Sequence, residues 1–104
     1  MNSISYSPMA LNDLDEIWEY IALELSAPDA AQKTVSGILD AVDKLNEHSK
    51  LGSPLYFEDG LFSGYKYVRY NEHLAFYRLS GNNVKVDRII YGRRDYMKVL
   101  FGGL

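Results

Sequence analysis

Arg88, Tyr91, Arg93, Arg94, Tyr96 and Lys98 fall within eleven consecutive residues. A guanidinium fork matches phosphate oxygens bidentately, and a phenol can stack on a base or donate to a phosphate oxygen. Such a set can grip RNA and assist cleavage at a 2′-hydroxyl. Lys66 and Arg69, earlier in the same half, extend the basic group. The residues fit a second role equally well. Arg88 and Arg94 can pair with Asp87, Asp95 or acids on the helices and serve only the fold.

Other site chemistries find little support. The chain has no cysteine, which removes thiolate ligands, disulfides and cysteine nucleophiles together. His48 and His73 are the only histidines, and their separation does not suit a metal site, so both are expected at the surface. No glycine-rich phosphate loop precedes a helix. Acid pairs such as Asp13 and Glu16 have the spacing of a solvated helix face, not of a general acid–base pair. No metal and no cofactor are expected.

Charge is unevenly spread. Residues 1–60 carry eleven acids against three lysines, whereas residues 61–104 carry eight bases against three acids. The split suits either a basic working surface on an acidic body or helices with solvated acidic faces. At 104 residues, 47% hydrophobic and 13% aromatic, the chain can bury one core, and a single domain spanning 1–104 is expected. No basic region followed by an apolar run opens the sequence, and no apolar stretch reaches the ~18 residues of a membrane span. A soluble, cytoplasmic protein with no membrane partner is expected.

The elements that must position the basic cluster follow from periodicity. Ile4 and Tyr6 alternate with serines as a short strand ended by Pro8. Ser7 suits the N-cap of a helix with Pro8 in its first turn. Leu11, Leu14, Ile17, Trp18, Ile21 and Leu25 then repeat at three and four. Ser26 can cap a second helix, with Pro28 and Asp29 in its first turn and Ala31, Val35, Ile38, Leu39, Val42 and Leu45 as its stripe. So short a connection makes the pair an antiparallel hairpin. Gly52, Pro54 and Gly60 mark residues 48–63 as a loop.

The period then changes to two. Strands are predicted at 65–70, 73–79 and 84–91, with turns at Asn71-Glu72 and Gly81-Asn82-Asn83. Val84, Val86, Arg88 and Ile90 should share one face, and residues 95–101 can add one helical turn before Gly102-Gly103. The fold class is therefore α+β, in the order β-α-α-β-β-β: an N-terminal strand, then an antiparallel helical hairpin packed on a twisted, mainly antiparallel sheet. Trp18, Ile21, Ile38 and Val42 should be buried between hairpin and sheet, with Phe76 opposite them.

The residues from Ser7 to Ile21 resemble the opening helix of ParE-type toxins, which commonly reads S-P-x-A-x-x-D-L-x-x-I-W-x-Y-I. Further similarity lies at Ala30-Ala31, from Leu45 through Gly52, at Gly64-Tyr65-Lys66, from Leu74 to Arg78, and from Val86 to Asp95. Together these place the chain's resemblance in the RelE/ParE superfamily of type II toxin–antitoxin toxins. That resemblance implies a growth-inhibiting toxin neutralised by a cognate antitoxin, with operator DNA met only through the antitoxin. The target is DNA gyrase in ParE-like members and the ribosome with its mRNA in RelE-like endoribonucleases.

Candidate catalytic residues for the nuclease reading are Lys66, Arg69, Arg88, Tyr91, Arg93, Arg94 and Tyr96. The RelE pattern retains bases at Lys66 and Arg94, but its strand arginine falls on or beside Leu74 and its terminal tyrosine on Leu100. Tyr91 stands where many relatives carry histidine. Loss of two acid–base roles favours the ParE-like branch. A degenerate toxin that keeps only antitoxin binding is the remaining alternative.

Overall fold

The computed structural model describes residues 2–102. Strand β1 (Ser3–Tyr6) leads directly into helix α1 (Pro8–Glu19). Ser7 makes this junction. Its hydroxyl accepts from the Ala10 N–H at 3.0 Å and donates to the Asp87 carbonyl at 2.6 Å, so the helix cap is also tied to a distant strand. Pro8 at the first helical position gives up no hydrogen bond.

After Glu19 the helix widens into a π turn over Tyr20–Glu24, where the Leu25 N–H reaches the Tyr20 carbonyl at 3.1 Å. Ser26 takes a left-handed φ of 53°. It therefore does not cap helix α2 (Pro28–Asp43), whose cap position is Ala27 with no side-chain bond. Expectation and structure differ here because the π turn uses one more residue before the chain can reverse.

Strands β2 (Ser53–Tyr56), β3 (Phe62–Tyr70), β4 (His73–Ser80) and β5 (Asn83–Tyr91) complete a sheet of order β1-β5-β4-β3-β2. The β1–β5 pair is parallel and the others antiparallel. The segment expected to be loop thus contains an edge strand. Pro54 is tolerated there because an edge position needs no donor on its outer side.

The sheet carries apolar residues on both faces. Ala10, Leu14, Ile38, Val42 and Leu45 of the hairpin side meet Ala75, Tyr77, Val84, Val86 and Ile89. On the other face Leu55, Leu74, Phe76 and Ile90 are covered by helix α3 (Tyr96–Phe101). Asp95 caps that helix by accepting from the Lys98 N–H at 3.1 Å, and Gly102 ends it at φ 67°; Gly103 lies outside the described residues.

Two expectations about faces need correction. Val84 and Val86 lie under the hairpin but Ile90 does not, because the β4–β5 register shifts between Phe76 and Tyr77 and leaves Asp87 without an opposite residue. Such a bulge reverses the alternation beyond it. Phe76 packs beneath α3, not opposite Ile38 and Val42, because it alternates along β4 with Ala75 and Tyr77, which face the hairpin. Trp18 is 38% exposed, not buried. The inward row of α1 runs Ala10, Asp13, Leu14, Ile17, and Trp18 is turned about 100° from Ile17. Ile21 is half-buried, while Ile38 and Val42 are buried as expected.

Candidate functional site

Where α1 loosens into the π turn, a groove of about 770 Å³ opens between the hairpin and the far end of the sheet. Ile17, Tyr20, Ile21, Leu25 and Thr34 form its helical wall. Asn71, Glu72, His73, Ile89, Tyr91 and Arg94 form the other, with Asp13 and Glu16 at one side. The strand end is held in place by local chemistry. Asn71 takes φ 50° in the β3–β4 turn, a conformation asparagine tolerates better than most residues. The Gly92 N–H donates to the Glu72 carbonyl at 2.7 Å, and a Cβ at Gly92 would stand 3.2 Å from that oxygen. The Arg94 N–H then donates to the Tyr91 carbonyl at 3.0 Å, turning the chain back at the groove's rim.

His73 pairs across the strands with both Tyr70 and Tyr91. Its ring meets Tyr91 edge-on, with centroids 5.8 Å apart. Burial lowers its pKa from 6.5, opposed in part by the Glu72 carboxylate, so the imidazole is neutral at pH 7. A neutral imidazole can donate and accept at once. Sequence reasoning set this histidine aside as a surface residue. Its place opposite two tyrosines on neighbouring strands was the available signal.

The seven candidates separate. Tyr91 and Arg94 line the groove, and Arg94 forms no ion pair among the described residues. Arg88 does not join them. Its Nε and Nη2 hold the two Asp13 oxygens at 2.8 and 2.9 Å, and the Asp13 carboxylate also accepts from the Ile89 N–H at 2.9 Å. Arg93 is exposed, 3.6 Å from Glu72. Lys66 stands at mid-sheet, opposite Tyr77 on one side and Pro54 on the other. Arg69 lines concavities beside α2, outside the groove. Tyr96 belongs to α3 and packs on Phe76, ring centroids 5.3 Å apart.

The two leucines at the altered positions belong to one apolar cluster, Leu74 on β4 beneath α3 and Leu100 on α3 itself. Leu74 is 3% exposed, and Leu100 lies half-buried against the same cluster. Nearby, the Tyr65 hydroxyl donates to Asp87 at 2.8 Å and Arg78 bonds the same oxygen at 2.7 Å. Burial, reinforced by Asp87, pushes the Tyr65 phenol up to about 12. That trio is bound up in itself and supplies no proton donor near neutrality. Among the described residues no group of three or more His, Asp or Glu side chains is placed to hold a metal ion, and no helix is long and apolar enough to cross a membrane.

The groove therefore gathers one unpaired guanidinium, one neutral imidazole and two phenols, Tyr20 and Tyr91, against an apolar wall, with the carboxylates of Asp13, Glu16 and Glu72 at its sides. Its arrangement is that of a binding surface with few polar anchors.

Comparison with known proteins is consistent with this geometry. No curated protein sequence matches the chain. Among solved structures, a chain of the chromosomal ParDE toxin–antitoxin system from P. aeruginosa superposes with a TM-score of 0.71 at 26% identity, over 88% of this chain and 96% of that one. The YoeB–YefM complex from Staphylococcus aureus matches at TM-score 0.55 and 21% identity, over 88% and 97%. The toxin–antitoxin complex RelBE2 from Mycobacterium tuberculosis gives 0.55 and 16%, over 86% and 96%. These last two share the fold. The family described as ParE toxin of type II toxin-antitoxin system, parDE, matches residues 4–96, and the chain belongs to it.

Proposed function

We propose that this toxin acts on DNA gyrase by binding, does not cut mRNA, and is held inactive by a cognate antitoxin seated along the groove. The observation that carries the reading is the dispersal of the candidate nuclease residues. A ribonuclease of this size needs its cations and proton carriers within hydrogen-bond reach of one phosphodiester. Here Arg88 is occupied by Asp13, while Lys66, Arg69 and Tyr96 lie outside the groove. The two altered positions are leucines, which neither ionise nor hydrogen-bond.

The antitoxin's place is supported by exposed apolar surface. Leu11 and Trp18, seven residues apart on α1, are 51% and 38% exposed, and Tyr20 and Leu25 of the groove's own wall are 57% and 56% exposed. Leu11 and Trp18 thus make an apolar ridge on α1, and the groove wall leaves further apolar surface open; such exposed surface usually marks a protein contact. An amphipathic or extended antitoxin segment laid along it would meet Arg94 as its charged anchor.

The test is a supercoiling reaction with purified gyrase, plasmid and the toxin released from its antitoxin. Accumulation of protein-linked linear DNA is expected, and addition of antitoxin should abolish it. Unimpaired supercoiling by excess folded toxin would refute the gyrase reading.

A further inference from the structure

The β2 edge of the sheet is not used by the toxin reading. Tyr70 of β3 pairs with His73 at the groove, whereas Phe62 begins the same nine-residue strand, about 26 Å away. Among the described residues β2 has β3 on one side and no strand on the other. Leu51, Tyr56, Leu61 and Phe62 lie along or beside it and are between 53% and 65% exposed. The rings of Tyr56 and Phe62 meet edge-on, centroids 6.0 Å apart, on one face of the sheet. The backbone is open as well. The Phe57 N–H turns inward to the Leu61 carbonyl at 2.9 Å, so by alternation the Tyr56 N–H and the Pro54 carbonyl face outward. The opposite edge is partly closed, because the Asn2 N–H ahead of β1 bonds the Asn46 carbonyl at 2.8 Å. An open edge flanked by apolar residues is a template for another chain.

We infer that β2 is a self-association edge, pairing antiparallel with β2 of a second copy of this chain about a two-fold axis. The flanks of the strand are self-complementary. Lys50 precedes it, Glu58 and Asp59 follow it, and all three are exposed. Antiparallel pairing sets the start of one strand beside the end of the other. Lys50 of each copy then meets the two acids of the other, and the symmetry makes the contact twice. Parallel pairing would bring like charges together. A register centred on Leu55 lets each Tyr56 N–H donate to the Pro54 carbonyl of the other copy, and leaves Pro54 only to accept. The missing proline donors keep the backbone pairing sparse, so the dimer is reversible, with an interface below the ~1,200 Å² of a stable complex. Both grooves stay open in it. This inference does not depend on gyrase being the target.

The test is sedimentation velocity of the full chain, freed of antitoxin, from micromolar to millimolar concentration. A reversible monomer–dimer equilibrium is expected. Lys50→Glu alone, and Glu58→Lys with Asp59→Asn, should each weaken it more than about tenfold, since like charges then meet at both ends. Asp59→Asn keeps the side-chain oxygen that accepts from the Leu61 N–H, and a thermal melt of each variant checks the fold. An equimolar mixture of the two variants should dimerise again, because two-fold pairing sets opposite charges together at each end. Deuterium exchange at the Tyr56 amide should slow as the wild type is concentrated. A wild type that stays monomeric overturns the inference, as does self-association that neither variant weakens or that the mixture fails to restore. Slowed Tyr56 exchange only on adding antitoxin assigns the edge to the antitoxin and also overturns it.

Discussion

Arg88 grips both oxygens of Asp13 where the pair is largely screened from water, with side-chain exposures of 17% and 7%. The pair joins α1 to β5 across 75 residues of sequence. Taking both charges out of water costs about as much as their attraction returns, but removing one strands the other. Arg88→Ala should therefore lower stability by about 3 kcal/mol or more, measured by urea unfolding, and Arg88→Lys should recover only part. Arg94→Ala, at an exposed rim position, should change stability by less than ~0.5 kcal/mol. Equal losses in the two variants would contradict the structural role given to Arg88. The sequence showed that Arg88 had two possible lives but not which one, because its partner lies far beyond any local pattern. His73 adds a pH dependence. Its folded pKa is below 6.5, so above 6.5 it is neutral in both states and contributes nothing. As pH falls below 6.5 the unfolded chain takes up the proton first, and stability declines until the folded pKa is passed. Unfolding midpoints should drop between pH 7 and 5, and His73→Gln should flatten that part of the profile.

At the scale of elements, close approaches between helix, loop and sheet decide what a substitution does. Gly37 in the middle of α2 would ordinarily gain up to about 1 kcal/mol from replacement by alanine. Here the new methyl would stand 2.1 Å from the Tyr70 ring, and overpacking costs roughly 1–3 kcal/mol. The steric cost wins, so Gly37→Ala should lower the melting temperature. A rise would mean that α2 and β3 are not in contact as described. Gly52 is constrained in the same manner. Its N–H donates to the Tyr77 hydroxyl at 3.1 Å, that hydroxyl donates to the Ser49 carbonyl at 3.0 Å, and a Cβ would meet the phenol oxygen at 2.4 Å. Period made α1, α2, β3, β4 and β5 legible in the sequence, and the Ser7 cap fixed the start of α1. Three features were not. The π turn has no composition of its own. Strand β2 is four residues long with Pro54 inside it, and turn residues on both sides concealed it. The bulge opposite Phe76 and Tyr77 depends on how two strands meet, which neither strand's own pattern records, so the side taken by Ile90 was misjudged.

The working surface of the whole molecule is the groove between hairpin and sheet, with Thr34 of α2 on its helical wall. Light scattering of the co-purified pair should show a stable complex, as an interface above ~1,200 Å² would give, and Trp18→Ser should weaken it while the toxin stays folded. The candidate site was legible only in part. Tyr91 and Arg94 were named from composition, but the apolar wall and His73 became part of the site only once the π turn and the β3–β4 turn faced each other. The account stands most directly on what the toxin does to nucleic acid when its antitoxin is withdrawn. One culture should be sampled for gyrase-linked chromosomal breaks and for cuts in ribosome-bound message by primer extension, with wild type beside Arg94→Ala. The account predicts breaks with intact message in the wild type. Codon-positioned mRNA cuts without breaks, lost in Arg94→Ala, would contradict it.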